Sequence, residues 1–282
     1  MRPERNVLDF HRYRVHHAVM RRRVQIAVAV LLVAIAGVLA WQVFRSRQPT
    51  YQGRTLLFWL EQHAENSTPS DQNRAAYEAA EIALRHIGTN ALPTLLAWAG
   101  WRDAPFRKKT LTLLSGEARV KLGVYSANDY HALASYGFGV LKSVAKPAVP
   151  GLIPLLNDAD PDTRSGAAWC LCRMGPAAEE AVPALLQSLD DPATRNNAFA
   201  ALRSISAKAD VVVPVLIGHL SSPPKHRQGW ALSRLSEFGP DAKTAVPEVL
   251  KFLDDPQPWF RETATNVLKR IDPAAAAKAG VR

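Results

Sequence analysis

Residues 181–205 read AVPALLQSLDDPATRNNAFAALRSI, and this stretch contains every part of a unit that recurs along the chain. A proline after a small apolar pair opens one apolar run, a turn of Asp and Pro follows, and a second apolar run completes the unit. Proline is tolerated in the first turn of a helix because its missing N–H would have no helical partner there. The stretch therefore predicts two helices joined by a short turn.

The opening proline recurs at nearly constant spacing. Its copies are Pro93, Pro150, Pro183, Pro214 and Pro247, and the last four are 33, 31 and 33 residues apart. A helical hairpin of this size cannot bury its apolar face alone, whereas stacked copies can. We therefore predict an all-α fold, an α-solenoid of about six stacked helical hairpins over residues 51–273.

The second apolar run of each unit keeps one register. A small residue, a Leu and a bulky apolar residue recur at spacing 0, 4 and 7, which places them on one face of a helix. We call these the seam positions and predict that they are buried where neighbouring helices meet. The six sets are Ala80, Leu84 and Ile87; Gly137, Leu141 and Val144; Ala167, Leu171 and Met174; Ala198, Leu202 and Ile205; Ala231, Leu235 and Phe238; and Ala264, Leu268 and Ile271.

This pattern of Ala-Val-Pro, apolar run, Asp-Asp-Pro, Arg, Ala, Leu and Gly-Pro resembles HEAT repeats, especially the short variety also called PBS-lyase HEAT-like repeats. The resemblance covers about Tyr51 to Pro273. It implies a ladder of charges between units, made by a turn Asp and the Arg that follows it, with matching positions at Asp160 and Arg164, Asp191 and Arg195, and Asp255 and Arg261. The fifth unit departs from the pattern because it has Ser222 and Arg227.

The net charge of +10 is concentrated before the solenoid. Residues 1–48 hold nine Arg against Glu4 and Asp9, so nine minus two gives +7, and the other 234 residues carry only +3. A body so nearly neutral does not favour nucleic-acid binding. Binding of nucleic acid or anionic lipid through the Arg-rich tail remains an alternative function.

Residues 24–44, from Val24 to Phe44, carry no formal charge. As a helix they would reach about 30 Å, the thickness of a bilayer core. We predict one transmembrane helix here, preceding the solenoid, with Arg21, Arg22 and Arg23 near anionic headgroups. The chain would then be a single-pass membrane protein.

More Arg residues precede the apolar span than closely follow it. The positive-inside rule therefore places a basic tail, residues 1–23, in the cytoplasm and the solenoid on the outer side, which is periplasmic if the cell is bacterial. Residues 45–50 would be a linker and residues 274–282 a C-terminal tail. The alternative is cleavage of the segment as a signal peptide, which would release a secreted body.

The second unit contains an insertion. Its opening proline lies 48 residues before the seam Leu, whereas the later units need 19 to 21, so about 27 extra residues lie near 100–127. Insertions in repeats lie on one surface and often bind partners. The candidate partner-binding residues are Trp101, Arg107, Lys108 and Lys109. The alternative is an extra helix, about 105–115, that only packs on the stack.

A second candidate is a row of cations. One residue after the seam Leu lie Arg85, Lys142, Arg203 and Lys269, with Cys172 and Ser236 at the other two copies. This position points away from the seam, and a row of cations there suits an acidic protein partner. The alternative is an ordinary solvated face. Trp169, Trp230 and Trp259 are either interface anchors or packing residues.

The sequence offers no constellation for catalysis. It has no His-Glu dipeptide, no phosphate-binding loop and no metalloprotease motif, and its two cysteines, Cys170 and Cys172, have no metal-site spacing. We expect no catalytic, cofactor or metal site, no small-molecule substrate, and a scaffold that binds a protein. Because a di-iron hydroxylase and the bilin lyases also carry such repeats, an enzyme of the lyase or hydroxylase class is the alternative that the resemblance implies.

Overall fold

The computed structural model of the protein describes residues 48–66, 70, 73–111, 118–119, 122–206 and 208–281. The chain divides into one compact unit of Met1–Thr50 and a second of Tyr51–Arg282. The predicted tail at 1–23, the predicted transmembrane helix at 24–44 and most of the linker lie outside the described residues. Among the residues that are described, no helix combines the length and the apolarity needed to cross a bilayer.

The described part of the second unit contains six successive helical pairs, each with a first helix, a turn and a second helix. Two short strands precede them, β1 (Thr50–Tyr51) and β2 (Arg54–Thr55). In chain order the helices are α1 (Leu56–Glu65) and α2 (Arg74–Ile87); α3 (Leu92–Ala99), α4 (Pro105–Leu111) and α5 (Ala127–Leu141); α6 (Val149–Leu152) and α7 (Pro161–Met174); α8 (Val182–Ser188) and α9 (Arg195–Ser204); α10 (Ala209–Leu220) and α11 (Lys225–Leu235); and α12 (Val246–Leu250), α13 (Pro258–Ile271) and α14 (Pro273–Lys278). The second helices are α2, α5, α7, α9, α11 and α13, and the arrangement is an α-solenoid.

The recurring prolines open first helices at four of their five copies. Pro93, Pro150, Pro183 and Pro247 stand in the first turn of α3, α6, α8 and α12. The prediction is wrong for Pro214, which lies inside α10. This helix begins five residues earlier, at Ala209, because the segment that forms a separate 3₁₀ link before other first helices is here part of the helix.

Three of the second helices, α2, α5 and α7, are followed by a residue with positive φ, a conformation that suits glycine. The residues that follow α2 and α7 are Gly88 and Gly175, with φ of 58° and 63°. The residue that follows α5 is Lys142, whose φ is 46°. Positive φ costs a side-chain-bearing residue energy that glycine does not pay. Lys142 therefore holds the chain in a strained conformation that the neighbouring units assign to glycine.

The seam is buried at sixteen of its eighteen positions, which confirms the predicted face of the second helices. The prediction is wrong for Val144, which is 47% exposed, and Phe238 is only partly buried. Helix α5 ends at Leu141, so Val144 lies in the 3₁₀ segment beyond it. Phe238 similarly follows the end of α11 at Leu235. The seam prediction fails where the third residue lies three positions beyond the end of the helix, whereas Ile205, the first residue after α9, is still buried.

The charge ladder forms at one of its implied positions. Arg164 donates from Nε to Oδ2 of Asp191 in the next unit at 2.8 Å, while Asp160 caps α7 by accepting from the backbone of Thr163. Arg195 and Arg261 do not extend the ladder as the resemblance implied. Arg195 lies over the ring of Trp230, and Arg261 donates to the carbonyl groups of its own turn.

Candidate functional site

The second helices α7, α9 and α11 lie side by side and are joined by hydrogen bonds between successive helices. Asn197 of α9 donates from Nδ2 to the Ser165 hydroxyl of α7 at 2.8 Å, and Trp230 of α11 donates from Nε1 to Oδ1 of Asn196 at 2.8 Å. The hydroxyl of Ser204 donates to the carbonyl oxygen of Cys172 at 2.7 Å. Each of these contacts joins positions that differ by one residue in the register of the seam, so residues of similar register form rows across the helices. We call the exposed surface of these helices the second-helix face.

Midway along α2 and α7, this face carries two large exposed apolar side chains. Ile82 of α2 is 54% exposed and Trp169 of α7 is 40% exposed, and both lie two residues after the small seam residue. The equivalent residue of α5 is Gly139. A Cβ on Gly139 would lie 2.9 Å from Nε of Arg173, so the Arg173 side chain lies flat on α5. Its guanidinium also lies 6.0 Å from the ring centroid of Tyr136. These five residues form what we call the central patch.

A buried histidine lies beneath the central patch. His63 of α1 is 3% exposed, and its ring lies 4.7 Å from that of Tyr77 and 5.7 Å from that of Tyr136. Neither of its ring nitrogens has a hydrogen-bond partner among the described residues. Burial lowers the pKa of His63, the carboxylate of Glu81 opposes this shift, and the guanidinium of Arg173 adds to it.

The row of cations predicted from the sequence lies on the second-helix face. Arg85 pairs with Glu81 at 3.2 Å and Arg203 with Glu237 at 2.6 Å. Lys142 and Lys269 are exposed and have no ion pair within the described parts of the chain. The face thus presents cations near the C-terminal ends of several second helices. Their positive charge interacts favourably there with the negative end of the helix dipole.

The sequence pattern missed Arg173. The position after the seam Leu in α7 is Cys172, so the sequence pattern indicates an interruption of the row there. The next residue, Arg173, supplies the missing cation and is exposed. A search one position further along each second helix would have found it. Its placement over Gly139 depends on contact between two helices and has no signal in either segment alone.

The insertion packs against the third unit. Arg107 pairs with Asp103 at 3.3 Å, donates to the carbonyl oxygen of Tyr125 at 2.7 Å, and lies 5.8 Å from the ring centroid of Trp101. Lys108 pairs with Asp162 at the start of α7 at 3.3 Å. Of the predicted insertion residues, Trp101 and Arg107 are thus partly buried in packing, whereas Lys108 and Lys109 are exposed.

An open cavity of about 600 Å³ lies between α4 and the starts of α5 and α7. Charges of both signs line it, namely Asp103, Asp129, Asp160 and Asp162 with Arg102, Lys108 and Arg119. Within the described ranges, no three His, Cys, Asp or Glu side chains are grouped so that they could hold a metal ion. The Ser126 hydroxyl of the lining donates to Oδ2 of Asp129 at 2.7 Å as part of the capping box of α5.

Trp230 and Trp259, which the sequence analysis considered together with Trp169, have different surroundings. Trp230 fills the space between α9 and α11, with its ring edge to face with Phe199 at 5.7 Å and beneath the guanidinium of Arg195. Trp259 of α13 is 51% exposed and covers Gly229, where a Cβ would meet its ring at 2.8 Å. Trp230 is therefore a packing residue, and Trp259 leaves half of its ring accessible at the far end of the face.

Comparison with known proteins identifies the repeat. Residues 149–236, which span the third to fifth helical pairs, match the family model of HEAT repeats. No curated protein shows significant sequence similarity to the chain. Among solved structures, a crystal structure of an engineered protein is 18% identical, with 76% of this chain and 96% of that chain covered and a TM-score of 0.36. A designed armadillo repeat protein in complex with the peptide (KR)4 is 16% identical, with 76% and 99% covered and a TM-score of 0.37.

Proposed function

We propose that this chain, a HEAT-like repeat protein with an α-solenoid fold, is a non-catalytic scaffold that binds an acidic segment of a partner protein on its second-helix face. One observation carries the proposal. Ile82 and Trp169 are exposed at the same register position of α2 and α7, and Arg173, which lies on Gly139 at that position of α5, has no carboxylate partner among the described residues. Exposed aromatic and arginine side chains that adjoin an apolar surface are typical of binding hot spots.

The charges of the face favour an acidic partner. Lys142 and Arg173 have no ion pair in the described parts of the chain, and the pairs of Arg85 with Glu81 and Arg203 with Glu237 are on the surface. A surface ion pair contributes only about 0–1 kcal/mol. An incoming carboxylate can therefore share or replace the present partner at little cost.

The membrane attachment is part of the same proposal. Residues 24–44 would span the bilayer, Arg21, Arg22 and Arg23 would lie near anionic headgroups, and the linker would hold the solenoid close to the outer surface. Cleavage and secretion of the body is the alternative. A reporter fused to the C-terminus that is active only outside the cytoplasm, in a chain that stays in the membrane fraction after alkaline washing, is the expected result. Reporter activity in the cytoplasm would contradict this topology.

Site-specific crosslinking tests the binding face. A photo-reactive residue at Ala200 of α9, in the same row as Ile82 and Trp169, should capture a partner in intact cells. The control position is Gln187, an exposed residue of the first helix α8. A photo-reactive residue there should capture no partner. The double change Trp169→Ala with Arg173→Glu should abolish capture from Ala200 while the chain keeps its helical circular dichroism. Equal capture from both positions, or capture that survives the double change, would show that the face is wrongly assigned.

A further inference from the structure

We infer that the boundary between the fourth and fifth helical pairs contains a binding site for one carboxylate group, which the guanidinium of Arg195 holds at the start of α9. None of the five residues of the central patch takes part, so the inference goes beyond the proposed function and stands without it. The carboxylate belongs either to a free organic acid or to an acidic side chain of a protein, and experiment distinguishes the two sources.

Arg195 lacks the two kinds of hydrogen bond that hold other arginines at its register position. Arg164 and Arg261 each donate from Nη1 to carbonyl oxygens of their own turn. Arg164 also donates from Nε to the carboxylate of Asp191 in the next unit. The side chain of Arg195 is only 7% exposed, yet it makes no hydrogen bond to any described residue. Its Nη1 is buried, and a buried donor without an acceptor costs free energy.

The acceptor is missing because the turn of the fifth unit has no carboxylate at the ladder position. Ser222 stands there, where the fourth unit has Asp191, and it is exposed. Asp190, the other acid of the fourth turn, is already engaged. Its Oδ1 lies 3.4 Å from Nη1 of Arg227 and 3.1 Å from Nε2 of His219, a side chain that stays neutral at pH 7 because burial lowers its pKa. Among the described residues, no carboxylate is left for the buried guanidinium.

The charges of the boundary leave one positive charge without a counterion. Three arginines meet two aspartates here, so three minus two gives +1. These residues are Arg164, Arg195, Arg227, Asp190 and Asp191. Burial lowers the pKa of Arg195, and the guanidinium of Arg227 lowers it further. A carboxylate brings one negative charge and two acceptor oxygens that match the planar guanidinium. It fits better than phosphate, whose additional charge would be repelled by the two aspartates.

A carboxylate can reach the guanidinium because side chains, rather than backbone, fill this boundary. The backbones of α9 and α11 approach each other less closely than those of α7 and α9. The Trp230 ring lies between α9 and α11, with its centroid 5.7 Å from Cζ of Arg195 and its Nε1 donating to Asn196. The turn that precedes α11, residues 221–224, is exposed. A group of the size of a carboxylate therefore needs only side-chain movement to reach Nη1.

Thermal melting of the full-length chain in mild detergent tests the site. The probes are sodium acetate, sodium phosphate and the peptide N-acetyl-Gly-Asp-Gly-amide, each compared with sodium chloride at the same ionic strength. We expect about 100 mM acetate to raise the melting temperature of the parent by about 1–2 °C more than that of Arg195→Met, since a ligand that binds only the folded chain stabilises it. The comparison removes the general effect of acetate as a solute. Equal gains in the two proteins, or a larger Arg195-dependent gain with phosphate, would overturn the inference.

The peptide identifies the source of the carboxylate, because its only carboxylate is an aspartate side chain. An Arg195-dependent gain at least as large as that with acetate supports a protein side chain as the ligand. A smaller gain supports a free organic acid. Either result keeps the carboxylate site.

A carboxylate built into the turn gives an independent test. Ser222→Asp restores the acid that the fourth unit has as Asp191. It should raise the melting temperature by about 3 °C and remove the Arg195-dependent response to acetate. Ser222→Asn, which has nearly the same shape without the charge, should do neither, and Ser222→Asp combined with Arg195→Met should lose the gain. If Ser222→Asp responds to acetate as the parent does, the site is not the missing ladder position and the inference fails.

Discussion

Arg164 donates from Nε to Oδ2 of Asp191 across the boundary between the third and fourth helical pairs, at 2.8 Å. One unit later, Arg195 occupies the same register position but is 7% exposed, and its Nη1 has no hydrogen-bond partner among the described residues. The fifth unit has Ser222 in its turn, where other units have Asp. At this boundary the ion pair runs in the opposite direction, from Arg227 to Asp190 at 3.4 Å.

We expect the same substitution to destabilise the chain at Arg164 and to have little effect, or a stabilising one, at Arg195. Arg164→Met should lower the free energy of unfolding by about 1–2 kcal/mol because it removes a partly buried, charge-assisted hydrogen bond. Arg195→Met should leave stability within about 1 kcal/mol of the parent or raise it, since a buried guanidinium that has a ring contact with Trp230 but no ion pair among the described residues is replaced by an apolar side chain of similar length. Urea unfolding of both variants checks this, and an equal loss in both would contradict it.

Close contacts at glycine allow a second paired prediction. A Cβ on Gly166 of α7 would lie 2.9 Å from Cγ of His131, a buried residue of α5, whereas a Cβ on Gly218 of α10 would meet nothing within 4 Å. Gly166→Ala should therefore destabilise the chain by about 1–3 kcal/mol through overpacking. Gly218→Ala should stabilise it by about 0.5–1 kcal/mol, because alanine favours the helix. Thermal melting distinguishes the two signs, and a rise in melting temperature for Gly166→Ala would disprove the contact.

We expect the chain to lose stability in mild acid because three of its histidines are buried. Burial lowers the pKa of His63, His131 and His219 below the ordinary value of 6.5. The folded chain therefore prefers their neutral forms, so their stabilisation is complete above pH 6.5 and is lost as the pH falls from 6.5 through the lowered values. Asp191 acts in a separate window, because its hydrogen bond from Arg164 lowers its pKa to about 2 and its contribution is lost only below about pH 4.

The substitution His63→Phe tests whether His63 contributes to the loss of stability below pH 6.5. Because neither ring nitrogen of His63 has a partner in the described structure, the change should leave the melting temperature at pH 7.5 within about 2 °C of the parent. At pH 5 the variant should melt a few degrees above the parent, because one buried group no longer takes up a proton. Parallel pH curves for the two proteins would show that His63 does not contribute.

The repeat and its seam could be predicted because they depend on local spacing. Ala167, Leu171 and Met174 share one helical face whatever the neighbouring helix is, and all three are buried. Val144 could not be placed in this way, since the end of α5 at Leu141 is set by the backbone conformation of Lys142. A positive φ at a lysine is not visible in the sequence, where glycine is the usual signal.

The candidate site was predictable only in part. The cations Arg85 and Arg203 follow from their register, but their pairing with Glu81 and Glu237 depends on side-chain reach. Arg173 was missed because it lies one position outside the row and becomes part of the face by lying on Gly139 of the neighbouring helix. The roles of Trp169 and Trp230 could not be separated by sequence, since exposure depends on how far apart neighbouring helices lie.

The substitution Lys142→Gly tests both the backbone strain at this position and the contribution of its cation to binding. Lys142 has φ of 46° at a position where the neighbouring units have Gly88 and Gly175. Glycine adopts this conformation without a side-chain clash, so the change should raise the free energy of unfolding by about 1 kcal/mol, even after the greater entropy of the unfolded glycine is included. The same change removes an exposed cation from the second-helix face and should weaken binding of an acidic segment. Lys278→Ala, which removes a cation elsewhere, should alter neither property. A Lys142→Gly protein that is less stable would contradict the strained backbone, and one that is more stable but binds as before would remove Lys142 from the binding face.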